Sequence, residues 1–215
     1  MDEEGLWDGG LQLIGFWCSK FYQNYLDVEY YPERTVDVDF AIKIPYTGHQ
    51  AKICEKLKEM GFQEDRNIQD GSIVYRGGDI MVEFLKDRRG NGRKEGDPYI
   101  QELDIAPQSV PYLRILLDNP QTYQFKDLGK ITVPSMQAFL VHKLVVMGKR
   151  RDKGKKDKDL RQARAVARAI LQSRERLETL HSVIKILHKS QQKRLAIRST
   201  STTGPIQISA SRILV

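Results

Sequence analysis

Residues 35–44 form an apolar, β-branched run that carries two carboxylates two positions apart, Asp37 and Asp39. This composition predicts a strand, and the side chains of a strand alternate between its two faces. The two carboxylates therefore share one face, and the other face takes the apolar residues Val36, Val38, Phe40, Ile42 and Ile44. Like charges this close repel each other unless a cation lies between them. The run predicts a strand with a candidate site for Mg²⁺ or Mn²⁺, cations that carboxylates and substrate phosphates hold together.

The same alternation has a plainer explanation, which the pair alone does not exclude. A strand with one solvated face alternates polar and apolar residues without binding any metal. The surrounding residues decide between the two explanations.

Two further features support a site. Gly15 closes the short apolar run Leu11–Ile14 and precedes an aromatic stretch with helical spacing at 16–22. A turn into a helix N-terminus presents free backbone N–H groups that can receive phosphate. Glu83 lies among apolar residues in the second strand of a predicted hairpin, 72–85. Because an unpaired buried carboxylate is costly, Glu83 either faces water or has a positive partner, and it is the candidate third carboxylate.

The order of elements predicts an α+β fold, in which a small mixed β-sheet core with flanking helices precedes an all-helical region. We expect an α/β core at 1–132, a basic helical domain at 133–198 and a flexible tail at 199–215. Within the helical domain, the composition predicts a lysine-rich loop at 152–158 and a packed apolar stripe from Leu177 to Leu187.

Composition narrows the class of protein. No run approaches the roughly 18 apolar residues of a membrane span, and the acidic start has no signal-peptide pattern. The two cysteines, Cys18 and Cys54, form neither a disulfide framework nor a zinc site and are predicted to be buried thiols. These features predict a soluble cytoplasmic protein.

The charge is strongly segregated along the chain. Residues 1–129 carry 15 Lys+Arg against 23 Asp+Glu, whereas residues 130–198 carry 19 against 5. Such a basic region favours a polyanionic partner such as RNA, bound through the helices. A solvated helical surface that keeps the protein in solution explains the same charges equally well.

A glycine turn, paired aspartates and a later acid together meet the needs of nucleotidyl transfer, in which carboxylate-bound metal ions activate a hydroxyl and neutralise the leaving pyrophosphate.

Four stretches carry a resemblance to a known family: Leu13-Ile14-Gly15-Phe16-Trp17-Cys18; Arg34-Thr35-Val36-Asp37-Val38-Asp39-Phe40; Val82-Glu83-Phe84-Leu85; and Val133-Pro134-Ser135 with Phe139, His142-Lys143-Leu144 and Lys158-Asp159-Leu160. Over residues 11–172 the chain resembles the polymerase-beta-type nucleotidyltransferase superfamily. It is more closely similar to the bacterial nucleotidyltransferase-like families that include AbiEii-type toxin enzymes.

The resemblance implies roles for particular residues. It makes Asp37, Asp39 and Glu83 the catalytic metal ligands. It also supplies the candidate nucleotide-binding residues, which are Gly15, Phe16, Ser19, Arg34, Thr35, Lys143, Lys158 and Asp159. For Lys143 a snorkelling helix lysine is the alternative, and for Asp159 an acid at a helix N-terminus.

The chain departs from the family pattern at Phe16, where the pattern has Gly or Ser. Ser19, one helical turn further, supplies the missing hydroxyl only if the helix starts later than Phe16.

The sequence leaves three hypotheses about function. The first is a metal-dependent transferase of nucleoside monophosphates from nucleoside triphosphates to a hydroxyl, with RNA as a candidate acceptor. The second is a non-catalytic relative that binds nucleic acid or forms part of a toxin–antitoxin pair. The third is a homodimer built on the Leu177–Leu187 stripe.

Overall fold

The computed structural model describes residues 5–26, 28, 35–69, 71–88, 99–126 and 129–195. The candidate Arg34 and the predicted tail at 199–215 lie outside these residues. The described residues divide into two compact units, and each is described by itself. The first unit contains 5–18 and 35–134, and the second contains 19–26, 28 and 135–195. The division after residue 134 lies two residues beyond the predicted one, and the segment that begins at Ser19 groups with the helices.

The structure contains both helices and strands in the first unit, as the sequence predicts, and helices in the second. Its elements in chain order are β1 Leu11–Ile14, α1 Phe16–Tyr25, β2 Asp37–Ile42, α2 Ile53–Glu59, β3 Gln63–Arg66, β4 Ile73–Gly77, β5 Ile80–Asp87, β6 Gln108–Val110, α3 Arg114–Leu117, β7 Pro120–Phe125, β8 Gly129–Pro134, α4 Met136–Met147, α5 Lys153–Leu171, α6 Arg174–Lys185 and α7 Lys189–Arg194.

A mixed sheet forms the centre of the first unit. Its strand order is β1-β2-β5-β4-β3, and β6 pairs with the end of β5. The pairs β2–β5 and β5–β6 are parallel, whereas β1–β2, β4–β5 and β3–β4 are antiparallel. The hairpin β7–β8 forms a separate two-stranded sheet. This arrangement confirms the predicted α+β class with its small mixed sheet.

An aromatic cluster on one face of this sheet fixes the direction of the strands' side chains. Phe40 of β2 and Phe84 of β5 are register partners and stack at 5.5 Å between ring centroids. Tyr75 meets Phe84 edge-on at 5.9 Å, and Trp7 lies 6.2 Å from Phe40. All four side chains are buried. Burial of this cluster therefore sets the register of β2 and β5, because a slip of one residue would turn it toward solvent.

Helices of the second unit begin at N-cap residues, and one helix replaces part of a predicted loop. Ser135 caps α4 by accepting a hydrogen bond from the Ala138 N–H at 3.2 Å. The predicted loop at 152–158 is wrong, because α5 begins at Lys153 and Asp152 caps it by accepting from the Lys155 N–H. Because lysine is a good helix former, this lysine-rich stretch is helical once Asp152 has capped its N-terminus.

The apolar stripe of α6 and the residues just after it packs inside the second unit. Leu180, Ile184 and Leu187 are at most 9% exposed. The first two share an apolar lining with Leu140 and Leu144 of α4. These three residues of the stripe are therefore packed, as predicted. The homodimer stays a prediction. None of the described helices combines the length and apolar composition that crossing a bilayer requires.

Candidate functional site

The three candidate metal ligands lie on two neighbouring parallel strands. Asp39 of β2 is the register partner of Glu83 of β5, and Asp37 is the partner of Met81. Residues at the same level of adjacent strands point to the same face, and residues two apart on one strand do so as well. Asp37, Asp39 and Glu83 consequently share one face of the sheet, and all three are half-buried.

The opposite face explains why the carboxylates point where they do. Along β5 the buried residues Val82, Phe84 and Lys86 alternate with the half-buried Glu83 and Leu85. On β2 the first three residues, Asp37 to Asp39, are half-buried, and the buried Phe40 follows Asp39 directly. The carboxylates are therefore held away from the aromatic cluster by the burial of their neighbours.

Gly15 packs directly against one of these carboxylates. It follows Ile14, the register partner of Asp39, and has a φ of +70°. A Cβ added to Gly15 would lie 2.2 Å from Oδ2 of Asp39. A Cβ at that distance would displace the Asp39 carboxylate, so glycine serves here both its backbone conformation and the approach of Asp39.

Gly15→Ala is expected to destabilise the fold more than its backbone conformation alone requires. An L-residue in the left-handed region costs about 1–2 kcal/mol, and the contact with Asp39 adds at least about 1 kcal/mol of overpacking. Gly71→Ala is the matched control, because Gly71 has a φ of +75° and its added Cβ meets nothing within 4 Å. Urea unfolding measures both variants, and equal losses would contradict the predicted contact.

The start of α1 differs from what a serine-containing turn would provide. The helix begins at Phe16, whose side chain is buried, and Ser19 is fully buried. The condition under which Ser19 could supply a hydroxyl, a later helix start, is not met. Ser19 is therefore withdrawn as a phosphate ligand, and Phe16 can contribute only its main chain. Thr35 has a local role, since its Oγ1 accepts a hydrogen bond from the Asp37 N–H at 3.2 Å.

The donor set suits a hard divalent cation. Carboxylate oxygens are the ligands that Mg²⁺ prefers, and it is usually held by one or two of them together with substrate phosphates and water. Within the described part of the chain, no three His, Cys, Asp or Glu side chains are gathered closely enough to hold a metal ion by themselves. Asp37 and Asp39 fit a cation that arrives with phosphates, and the shared face leaves Glu83 beside them.

The other nucleotide-binding candidates lie in the second unit. Lys143 Nζ donates to Asp159 Oδ1 at 2.9 Å, and Arg150 Nε donates to Asp159 Oδ2 at 3.2 Å. Asp159 is 3% exposed and is the seventh residue of α5. The alternative that it is an acid at the helix N-terminus is therefore wrong, since α5 begins six residues earlier. Lys158 precedes it and is half-buried. A direct role of these residues at a nucleotide stays a prediction.

His142, next to Lys143, is kept neutral by its surroundings. Desolvation, together with the nearby charge of Lys143, lowers the pKa of His142 to about 3. In the unfolded chain, where a histidine titrates near pH 6.5, His142 would take up a proton that the folded state excludes. His142 therefore lowers the free energy of unfolding as the pH falls from about 6.5 toward 3, by up to about 1.4 kcal/mol per pH unit.

His142→Gln is accordingly expected to flatten the pH dependence of the unfolding free energy between pH 7 and about pH 4.5. Denaturant unfolding of the wild type and the variant at several pH values checks this. If His142→Gln follows the wild-type curve, folding does not hold His142 in its neutral form.

Sequence reasoning missed one residue in each unit that contacts a candidate site residue. Arg150 joins the buried Asp159, and Trp17 donates its indole N–H to the main-chain oxygen of Asp37 at 3.0 Å. The position of Trp17, in the first helical turn after Gly15, was the available signal. Nothing in the spacing of Arg150 and Asp159 distinguishes their contact from a solvated pair.

Comparison with known proteins gives one family match. A family model described as "Nucleotidyltransferase" matches residues 1–186. The crystal structure of an antigenic nucleotidyltransferase-like protein from Paracoccidioides brasiliensis is 16% identical, with a TM-score of 0.42 over 86% of this chain and 84% of that chain. No curated protein matches the chain.

Proposed function

Because this chain belongs to the nucleotidyltransferase family, we propose that it transfers a nucleoside monophosphate from a nucleoside triphosphate to a hydroxyl acceptor. The observation that carries the proposal is the shared face of Asp37, Asp39 and Glu83, with Gly15 packed against Asp39. A relation to polymerase-beta-type enzymes and to the AbiEii-type families is part of the proposal, as is a cytoplasmic location.

Each residue of this face has a defined task in the proposed reaction. Asp37 and Asp39 would hold Mg²⁺ or Mn²⁺ together with the triphosphate, and Glu83 would complete the set. When bound, the cation would lower the pKa of the attacking hydroxyl and neutralise charge on the leaving pyrophosphate. The main-chain N–H groups that open α1 after Gly15 would donate to phosphate oxygens, as free helix N-termini do. The protein contributes placement and charge stabilisation rather than covalent chemistry.

The basic second unit supports RNA as the acceptor. The start of α5 places Lys153, Lys155 and Lys156 on exposed positions, and Arg151 is exposed just before it. Cations of this kind bind phosphates by releasing counterions, so affinity falls steeply as salt rises. We expect total RNA to bind with such a salt dependence, and a flat response would exclude the basic surface as an RNA site.

The proposal is tested by label transfer. The chain is incubated with Mg²⁺, total RNA and each of the four nucleoside triphosphates labelled at the α-phosphate, and RNA, protein and small molecules are then separated. The expected result is label joined to one of these acceptors and lost when Mg²⁺ is removed by a chelator. The absence of label on all three, with a chain that is folded, would contradict catalysis.

A second candidate function is favoured by the start of α1. After Gly15 come Phe16, Trp17 and Cys18, none of which carries a hydroxyl, and the hydroxyl of Ser19 is buried. A relative without catalysis, which binds nucleic acid or acts in a toxin–antitoxin pair, would tolerate this turn. Nucleic-acid binding that needs no metal and survives Asp37→Ala, without any label transfer, would favour this alternative.

A further inference from the structure

Trp17 is an exposed aromatic residue beside the carboxylate face. It is 37% exposed, although its neighbours Phe16 and Cys18 are 7% and 0% exposed. The exposed Trp17 side chain is nevertheless anchored, because its indole Nε1 donates to the main-chain oxygen of Asp37 at 3.0 Å. One edge of the ring is therefore fixed at the level of Asp37, while part of its surface stays open.

The strand pairing explains this hydrogen bond. In the parallel β2–β5 pair, Val36 directs its main-chain oxygen to the Met81 N–H at 2.8 Å, so the Asp37 oxygen points toward the opposite side. On that side β1 ends at Ile14, level with Asp39, and provides no strand partner for Asp37. The Trp17 indole takes the place of that partner. The fold thus uses the end of β1 to hold an indole next to the first carboxylate.

Two apolar side chains at the same end of the sheet are exposed as well. Val36, which precedes β2, is 54% exposed, and Ile80, which opens β5, is 47% exposed. The Val36–Met81 hydrogen bond brings the starts of these two strands together. Both residues alternate with the carboxylates along their strands and belong to the opposite face, so they do not line the carboxylate site. The exposed indole of Trp17, held beside Asp37, is the apolar group that suits a ligand with a charged part and a flat apolar part.

We propose that Trp17 stacks against the nucleobase of the nucleoside triphosphate. This proposal rests on the proposed function, which places the triphosphate at Asp37 and Asp39. A nucleobase is the flat part of that same ligand, and stacking on an aromatic side chain is tolerant of base identity because every base has a π-face. Trp17 would therefore position the nucleotide without selecting one base, and its loss is expected to weaken nucleotide binding roughly 10- to 100-fold.

The experiment compares ATP with inorganic tripolyphosphate, which carries the phosphates but no base. Binding of each to the full chain in Mg²⁺ is measured by calorimetry for the wild type, Trp17→Ala and Trp17→Phe. We expect Trp17→Ala to weaken ATP roughly 10- to 100-fold while tripolyphosphate binding is unchanged, and Trp17→Phe to restore most of the ATP affinity. Tyr99→Ala removes another exposed aromatic of the first unit and should change neither ligand.

A spectroscopic readout is independent of any loss in stability. The chain has two tryptophans, and Trp7 is buried with no hydrogen-bond partner for its indole among the described residues. Trp7→Phe therefore leaves Trp17 as the one fluorophore at small structural cost. ATP should quench its fluorescence, and tripolyphosphate should displace ATP without quenching.

The outcomes separate the two proposals. If ATP and tripolyphosphate bind but Trp17→Ala weakens both alike, or if ATP leaves the Trp17 fluorescence unchanged, stacking is overturned and the nucleotide site stands. If neither ligand binds to the folded wild type, the proposed function fails and the stacking proposal fails with it.

Discussion

Replacing Asp39 with asparagine is expected to lower nucleotidyl transfer by at least roughly 100-fold, the usual cost of losing one group that stabilises developing charge. The fold should remain as stable as before or become firmer. Asparagine keeps the shape that packs against Gly15, and it removes one of two carboxylates that share a face with Glu83. Like charges on one face repel, so their removal does not harm the metal-free chain. Asp37→Asn is expected to behave in the same way.

The measurement combines label transfer with urea unfolding of each variant. Asp65→Asn is the matched control, because Asp65 is an exposed aspartate of the edge strand β3, on the same sheet but separated from β2 by β5 and β4. It should transfer label at the wild-type rate. An Asp39→Asn variant that unfolds, or one that is as active as Asp65→Asn, would assign Asp39 a structural role and would remove it from the reaction.

Replacing Asp159 with alanine is expected to cost the fold about 3 kcal/mol of unfolding free energy, in the range for breaking a buried ion pair. Asp159 is 3% exposed and accepts from both Lys143 and Arg150. Lys143, whose side chain is 14% exposed, would be left without its carboxylate. Its ammonium also lies 5.3 Å from the centroid of the Phe139 ring, a contact too weak to replace an ion pair.

Asp157→Ala provides the control, since Asp157 is an exposed aspartate two residues earlier on α5. Its effect should stay within about 0.5 kcal/mol, as for most surface substitutions. The double variant Lys143→Met with Asp159→Ala should lose less stability than the sum of the single variants, because it leaves no buried charge unpaired. If Asp159→Ala keeps full stability and loses nucleotide binding, Asp159 acts at the nucleotide, as the family resemblance implies.

The sequence predicted those elements whose structure is determined by a single local stretch of residues. The apolar run around Glu83 predicted the strand β5, and the structure adds the alternation of buried and half-buried residues along it. Gly15, with its positive φ, marked the turn between β1 and α1. The paired aspartates were found because a strand period of two places them on one face. Their proposed role at a metal ion stays a prediction.

Elements that depend on their neighbours were missed. The strand β3, Gln-Glu-Asp-Arg, is exposed throughout and exists because it pairs with β4. The hairpin β7–β8 begins at Pro120, and proline is tolerated as the first residue of a strand. The contacts of Asp159 and of Trp17 join residues distant in sequence, so neither periodicity nor composition could have shown them.

Calorimetric titration of ATP, with and without Mg²⁺, into the wild type, Asp39→Asn and Asp65→Asn tests most directly whether the paired aspartates hold a cation together with a nucleotide. We expect the wild type and Asp65→Asn to bind ATP only when Mg²⁺ is present and to lose binding after chelation, and we expect folded Asp39→Asn not to bind it. Equal binding by Asp39→Asn, or ATP binding that is indifferent to Mg²⁺, would contradict it.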